Sequence, residues 1–193
     1  MQGLYALKPW YTRRLGGIVD AAVARGISPD VFTVAGVIAA AAAAVAVAYG
    51  WWPLVFVLLG ARLAGANLDG AVARAREVSR PWGFVLNEIG DRTSDLLVFA
   101  GLTVWAARTG GSVIWVLVAA LAATLPTFAS LAAAGAGATR RNGGPFGKTE
   151  RCLAIVVACA LPALLGWVCA VIVTGSALTM VTRLLGTHRE LAV

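Results

Sequence analysis

Residues 53–106 read PLVFVLLGARLAGANLDGAVARAREVSRPWGFVLNEIGDRTSDLLVFAGLTVWA, and the way this stretch divides decides the fold. Two apolar runs, 53–73 and 83–106, flank a polar segment that carries Arg74, Arg76 and Arg80. Each run holds about 20 residues, the length a helix needs to cross a bilayer core of about 30 Å. The pattern predicts two membrane-spanning helices joined by a short basic loop.

The rest of the chain repeats the pattern. Of 193 residues 60% are hydrophobic and only 13% are charged, which excludes a disordered chain and argues against an ordinary soluble domain. Six spans are predicted, at 31–49, 53–73, 83–106, 112–134, 150–165 and 167–186. The expected class is therefore all-α: a six-helix integral membrane bundle over residues 31–193, preceded by an N-terminal interfacial segment, residues 1–30. Pro162 interrupts the fifth span, and Gly166 leaves a very short turn before the sixth.

The net charge of +7 leaves nucleic acid open as a partner until the charges are placed. Lys8, Arg13, Arg14 and Arg25 precede the first span; Arg74, Arg76 and Arg80 follow the second; Arg140, Arg141, Lys148 and Arg151 precede the fifth; Arg183 and Arg189 close the chain. At the opposite hairpin tips, near Gly50, Gly110 and Gly166, only Arg108 is basic. The positive-inside rule then puts both termini and the basic segments in the cytoplasm of a multi-pass protein of a bacterial cell membrane. The excess charge is a topological rim, so no nucleic acid partner is expected. Trp51, Trp52, Trp105, Trp115 and Trp167 fall at the far rim and Trp10 and Trp82 at the basic rim, as interfacial belts.

Residues 1–30 lack the apolar stretch and small-residue cleavage site of a signal peptide. Residues 8–25 read instead as an amphipathic helix, with Trp10, Leu15, Ile18, Val19, Ala22 and Val23 on one face, lying on anionic membrane lipid. Cys152, Cys159 and Cys169 have no histidine at metal-ligand spacing and read as small packing residues, as does the alanine run 39–46. His188, the single histidine, stands in the charged tail.

Six ionisable residues lie where lipid is expected: Arg62, Asp69, Glu88, Asp91, Arg92 and Asp95. A charge at mid-membrane costs about 2.5–3.5 kcal/mol on insertion scales and so is rarely incidental. On the third span Asn87, Asp91 and Asp95 are spaced by four on one face, joined by Glu88; on the second, Ala66, Asp69, Gly70 and Ala73 share a face. Converging carboxylates in a polar cleft suit a hard divalent cation such as Mg²⁺, with water and substrate phosphates completing its shell. Two other readings stay open from spacing alone: ion pairs within the bundle, such as Arg62 with Asp69, and a proton relay in a transporter.

Asp69-Gly70-x-x-Ala73-Arg74, eight residues, Gly83, then positions 87 and 91 resemble the signature of the CDP-alcohol phosphotransferase family, D-x-x-D-G-x-x-A-R, eight residues, G-x-x-x-D-x-x-x-D. Ser28-Pro29 with Thr33 and the run Gly144–Arg151 resemble further family segments, and Leu86-Asn87-Glu88 resembles a branch with L-N-E at the third aspartate. The resemblance implies transfer of a phosphatidyl or other substituted phosphate group from a CDP-linked lipid or alcohol to an acceptor alcohol, releasing CMP. It implies Mg²⁺ or Mn²⁺ as cofactor, and a homodimer, since family members are often dimeric.

By the same resemblance, Asp91 is the general base, and Asp69, Asp91, Asn87, Glu88 and Asp95 are the candidate metal ligands. Asn67, Gly70, Ala73, Arg74 and Gly83 are candidates for the nucleotide diphosphate. Lys148, Thr149 and Arg151 are candidates for a phosphate on the acceptor or on lipid. Two family aspartates are replaced, the first by Ala66 and the third by Asn87. Asn87 retains an amide oxygen, Ala66 retains nothing, and Asn67 is turned about 100° from position 66. One metal ion, or a differently built pair, is expected. Two alternatives remain beside the transferase: a metal-dependent enzyme acting on an isoprenoid diphosphate, and a non-catalytic lipid-binding protein.

Overall fold

The computed structural model describes residues 8–192, so the part of the predicted N-terminal segment before residue 8 lies outside the described residues. Every described element is helical. In chain order they are α1 (Lys8–Arg14), α2 (Gly16–Ala24), α3 (Pro29–Ala48), α4 (Trp52–Ala75), α5 (Pro81–Thr109), α6 (Val113–Gly135), α7 (Lys148–Ala160), a 3₁₀ turn (Pro162–Leu164) and α8 (Leu165–Leu191). Four segments are long and apolar enough to cross a membrane: Pro29–Ala48, Trp52–Ala75, Val113–Gly135 and Pro162–Leu191. With large apolar side chains such as Ile38, Phe56, Ile114, Leu121 and Phe128 turned outward, this is the surface of a membrane protein.

Two expectations change at this level. The predicted single helix over 8–25 is two short helices meeting at Leu15. The predicted fifth span is the 13-residue α7, about 20 Å long at 1.5 Å per residue. It stops before Pro162, whose ring cannot continue the hydrogen-bond ladder. Trp105 also departs from its expected place in an aromatic belt. It is buried, with its indole packed over the turn at Gly50, where a Cβ would sit 2.7 Å from Nε1.

The chain divides into two compact units, one ending at Trp105 and one beginning at Ala106. In the first, α3 starts with Ser28 as N-cap, its Oγ accepting from the Asp30 N–H at 3.4 Å, and Pro29 in the first turn, where a missing N–H costs nothing. The alanine-rich α3 is the packing hub. Ala40, Ala43, Ala46 and Val47 are fully buried. A Cβ on Gly65 of α4 would lie 2.7 Å from the Phe32 carbonyl, and one on Gly101 of α5 would lie 2.2 Å from the Ala44 carbonyl. Only glycine lets these backbones meet, as is usual where small residues replace a hydrophobic driving force in lipid. The basic segment after α4 grips the turn before α3: Arg76 Nη1 donates to the Ile27 carbonyl at 2.6 Å and the Gly26 carbonyl at 3.0 Å, and Arg80 pairs with Asp30.

In the second unit α8 carries the loop between α6 and α7. Arg183 donates to the Gly143, Asn142 and Pro126 carbonyls at 2.9, 2.8 and 2.6 Å, and to Ser130 Oγ at 2.9 Å. The Phe146 N–H donates to Thr179 Oγ1 at 3.0 Å, and Arg141 pairs with Glu190 at 2.8 Å. Cys152, Cys159 and Cys169 are free and buried, as packing residues should be.

Candidate active site

A pocket opens in the first unit, lined by Thr33 and Gly36 of α3, Arg62, Ala66 and Asp69 of α4, and Asn87, Gly90, Asp91 and Ser94 of α5. Positions 66, 69, 87 and 91, singled out by spacing on two helices, face this one cavity. They do so because i and i+3 on α4, and i and i+4 on α5, each share a helix face, and because α3 lets both helices come close. At Gly90 a Cβ would press within 3.0 Å of the Thr33 methyl group.

Asp69 is the best-anchored of the four. It is buried, its Oδ2 accepts from Thr33 Oγ1 at 3.0 Å, and its Oδ1 lies 2.5 Å from the Gly70 N–H. Two donors hold the carboxylate in one orientation. Asp91 is half-buried at the pocket wall, one turn beyond Asn87.

The other candidate ligands sit elsewhere. Asp95 is buried outside the pocket lining, between two guanidinium groups: Arg62 Nη2 lies 2.5 Å from its Oδ1 and Arg92 Nη1 lies 2.9 Å from its Oδ2. Arg62 thus pairs with Asp95 on the neighbouring helix. Glu88 is half-buried beside the pocket and absent from its lining. Asn67 turns its amide back on its own helix, donating to the Leu63 carbonyl at 2.8 Å.

Gly70 and Ala73 are half-buried on α4, and the exposed Arg74 folds back so that a Cβ on Gly70 would sit 3.2 Å from its Nη1. Gly83 lies half-buried in the first turns of α5 beside Arg80. In the second unit, Lys148 and Thr149 are half-buried at the start of α7 and Arg151 is buried. That turn is fixed by the Gly147 N–H, which donates to Glu150 Oε2 at 2.8 Å.

Among the described residues no three His, Cys, Asp or Glu side chains converge as a complete metal cage. The pocket supplies two carboxylates, Asp69 and Asp91, with the Asn87 amide. That set is short for a closed protein site but suits Mg²⁺ or Mn²⁺ that draws its remaining ligands from water and substrate phosphates. The lining residues Thr33, Gly36, Arg62 and Ser94 escaped the reading of the sequence as site residues. Gly36 is one turn beyond Thr33 on α3, and Ser94 is one turn beyond Gly90 on α5; these faces could have been drawn from spacing once a third helix was considered.

An acidic pocket in an apolar helical bundle suits a membrane enzyme that handles a metal-bound phosphate ester. Its class follows from comparison with known proteins. Residues 26–189 match the family profile of the CDP-alcohol phosphatidyltransferases, and the chain belongs to that family. It is 30% identical over 157 residues to a phosphatidylinositol phosphate synthase of Mycolicibacterium smegmatis, covering 78% of this chain and 69% of that one. To the same-named enzyme of Mycobacteroides abscessus it is 32% identical over 167 residues, covering 83% and 74%.

Two crystal structures of Mycobacterium tuberculosis phosphatidylinositol phosphate synthase resemble it in fold. The form with CDP-DAG bound gives a TM-score of 0.74 at 27% identity, covering 91% of this chain and 94% of that one. The form in complex with manganese and citrate gives 0.71 at 26% identity, covering 89% and 87%. The protein is accordingly a membrane transferase that moves a phosphatidyl or other substituted phosphate group from a CDP-linked alcohol or lipid to an acceptor alcohol, with release of CMP. The isoprenoid-diphosphate and non-catalytic readings give way to this one.

Proposed function

We propose that the protein transfers a phosphatidyl group from CDP-diacylglycerol to a phosphorylated polyol of the inositol phosphate type, in a reaction dependent on Mg²⁺ or Mn²⁺. The observation that carries the reading is the convergence of positions 66, 69, 87 and 91 on a single pocket. The names of the relatives and the lipid nucleotide and manganese of the crystallised neighbours support the choice of donor, acceptor class and metal.

In this reading Asp69, held by Thr33 and Gly70, and Asp91, with the Asn87 amide, hold the cation. Bound there, the cation would supply Lewis-acid stabilisation of charge on the leaving CMP. Asp91 takes the proton of the attacking hydroxyl as general base. Gly70, Ala73 and Gly83 leave room for the nucleotide, and Asn67 and Arg74 flank it. Lys148, Thr149 and Arg151 receive the phosphate of the acceptor through charge-assisted hydrogen bonds. Helices α3 to α8 form six passages of a bacterial cell membrane, with α7 and the 3₁₀ turn as the fifth, α1 and α2 on the cytoplasmic surface and both termini on that side. The outward-facing tryptophans Trp51, Trp52, Trp115 and Trp167 support an interface at that end of the passages.

The test is CMP release by the purified protein in detergent, with CDP-diacylglycerol, Mg²⁺ or Mn²⁺, and a panel of phosphorylated and unphosphorylated polyols. CMP release with inositol phosphate, abolished by chelation and restored by Mn²⁺, is the expected result. Absence of CMP release with every acceptor would refute the donor assignment, and a preference for unphosphorylated alcohols would refute the acceptor class.

A further inference from the structure

We propose that the pocket holds a single divalent cation and that the guanidinium of Arg62 takes the place of a second one, as a fixed positive charge on the donor diphosphate. The proposal rests on the reading of the donor as a CDP-linked diphosphate and adds a metal count and a diphosphate-binding residue to it.

Charge in the pocket leads to the count. Of the four signature positions only Asp69 and Asp91 keep a carboxylate. Two carboxylates balance one divalent cation; Ala66 supplies no donor, and Asn87 supplies a neutral one. Arg62 lies one helical turn before Ala66 on the same face of α4. It lines the pocket although it is only 2% exposed. Its Nη2 lies 3.4 Å from the Asp91 carbonyl, so the positive end sits at the backbone of the general base.

A buried guanidinium needs a partner to remain charged in place, and Asp95 supplies it from outside the pocket at 2.5 Å. Arg92 contacts the second oxygen of Asp95 at 2.9 Å. Two cations therefore share one carboxylate, and the triad carries one net positive charge beside the pocket. That charge opposes a second metal ion and attracts a diphosphate. Arginine suits the task because its planar fork matches phosphate oxygens and cannot lose its proton. Asp95, one of the candidate metal ligands, becomes the group that positions Arg62.

The experiment counts manganese and measures nucleotide affinity. Mn²⁺ binding to the purified protein with CDP present is followed by titration calorimetry and electron paramagnetic resonance. One Mn²⁺ per chain with an uncoupled spectrum is expected, and the double variant A66D/N87D is expected to take two with a coupled signal. Two ions per wild-type chain, or none, would overturn the count whatever the CMP assay shows. Arg62→Gln is expected to weaken CDP binding at least tenfold in the presence of Mn²⁺ while the count stays at one, with Arg62→Lys in between.

The paired variant R62Q/D95N removes both members of the buried pair and leaves Arg92, whose side chain is 25% exposed, as the remaining cation. Should it restore CDP affinity and CMP release to within threefold of wild type, Arg62 would be serving only to neutralise Asp95, and its role toward the diphosphate would fall. Continued weak CDP binding in that folded variant supports it. Loss of CMP release in wild type with one Mn²⁺ and tight CDP binding would instead fault the acceptor assignment, leaving Arg62 in place.

Discussion

Thr33→Val isolates what the anchoring of Asp69 contributes. The two side chains have nearly the same shape, so the methyl group that packs against Gly90 is kept and no cavity opens. What disappears is the hydroxyl that donates to Asp69 Oδ2 at 3.0 Å, in a pair where both residues are buried. A hydrogen bond to a charged group contributes about 1.5–3 kcal/mol net. At one decade per 1.4 kcal/mol, losing it converts to a factor of roughly 10 to 150. Outer groups that orient a metal ligand typically change affinity by about 10–100-fold, so the two routes agree.

The expected result is a Mn²⁺ dissociation constant raised about 10–100-fold by calorimetry, with the rate of CMP release at saturating Mn²⁺ reduced only a few-fold. The Gly70 N–H still holds Oδ1 in the variant, so the carboxylate is loosened without being released. A Mn²⁺ affinity within twofold of wild type in a folded variant would show that Asp69 is not a metal ligand held by Thr33. The assignment of this pocket would then fail at its best-defined residue.

Asp91→Asn keeps size and removes the proton acceptor; CMP release is expected to fall about 10²–10⁴-fold in a folded protein, the usual contribution of a general base, and a loss under tenfold would exclude that role. Gly101→Ala puts a Cβ where the Ala44 carbonyl lies 2.2 Å away, so the helices must part, at a cost of about 1–3 kcal/mol read as a lower midpoint of thermal unfolding in detergent. An unchanged midpoint would contradict the close approach of α3 and α5. Arg183→Met removes two hydrogen bonds to the loop after α6 and two to α6 itself, at Pro126 and Ser130, and hydrogen exchange at residues 139–147 is expected to rise, while the amides of α3 and α4 stay as protected as in wild type.

Helix positions were legible because apolar runs, glycine turns and the Ser28 cap are local signals. Each long helix begins within about two residues of its expected start. The fifth span misled because the sequence shows an apolar run on both sides of Pro162, while the ladder breaks at Leu161 and leaves α7 short. The N-terminal helix misled because its face pattern runs through Leu15, where the backbone departs from regular helix geometry. In the site, i+3 and i+4 spacing identified the residues that meet, since a helix face follows from sequence alone. Spacing along one helix does not reveal a partner on another, which is why the pairing of Arg62 with Asp95 was not legible. The contribution of α3 was hidden for the same reason: Thr33 and Gly36 acquire meaning only once Gly65, Gly90 and Gly101 allow three helices to converge.

The basic residues show how one observation supports two roles at different levels. Their clustering still orients the chain, because insertion responds to the number of positive charges near the ends of each span and not to their later partners. In the folded protein several of them no longer act as free surface charge. Arg76 and Arg80 hold the turn before α3, Arg183 carries the loop ahead of α7, and Arg141 pairs with Glu190. Each of these contacts fixes a segment next to a candidate substrate-binding residue: Thr33 and Asp69 in the first unit, Lys148 and Arg151 in the second. A net charge of +7 is therefore a poor measure of what the surface offers to anionic ligands. The better measure is which cations remain directed at a pocket after the backbone carbonyls and carboxylates of the fold have taken their share. In the first unit Arg62 is the cation that lines the pocket, paired with an Asp95 that also contacts Arg92, and the pocket has two carboxylates where the family signature has four.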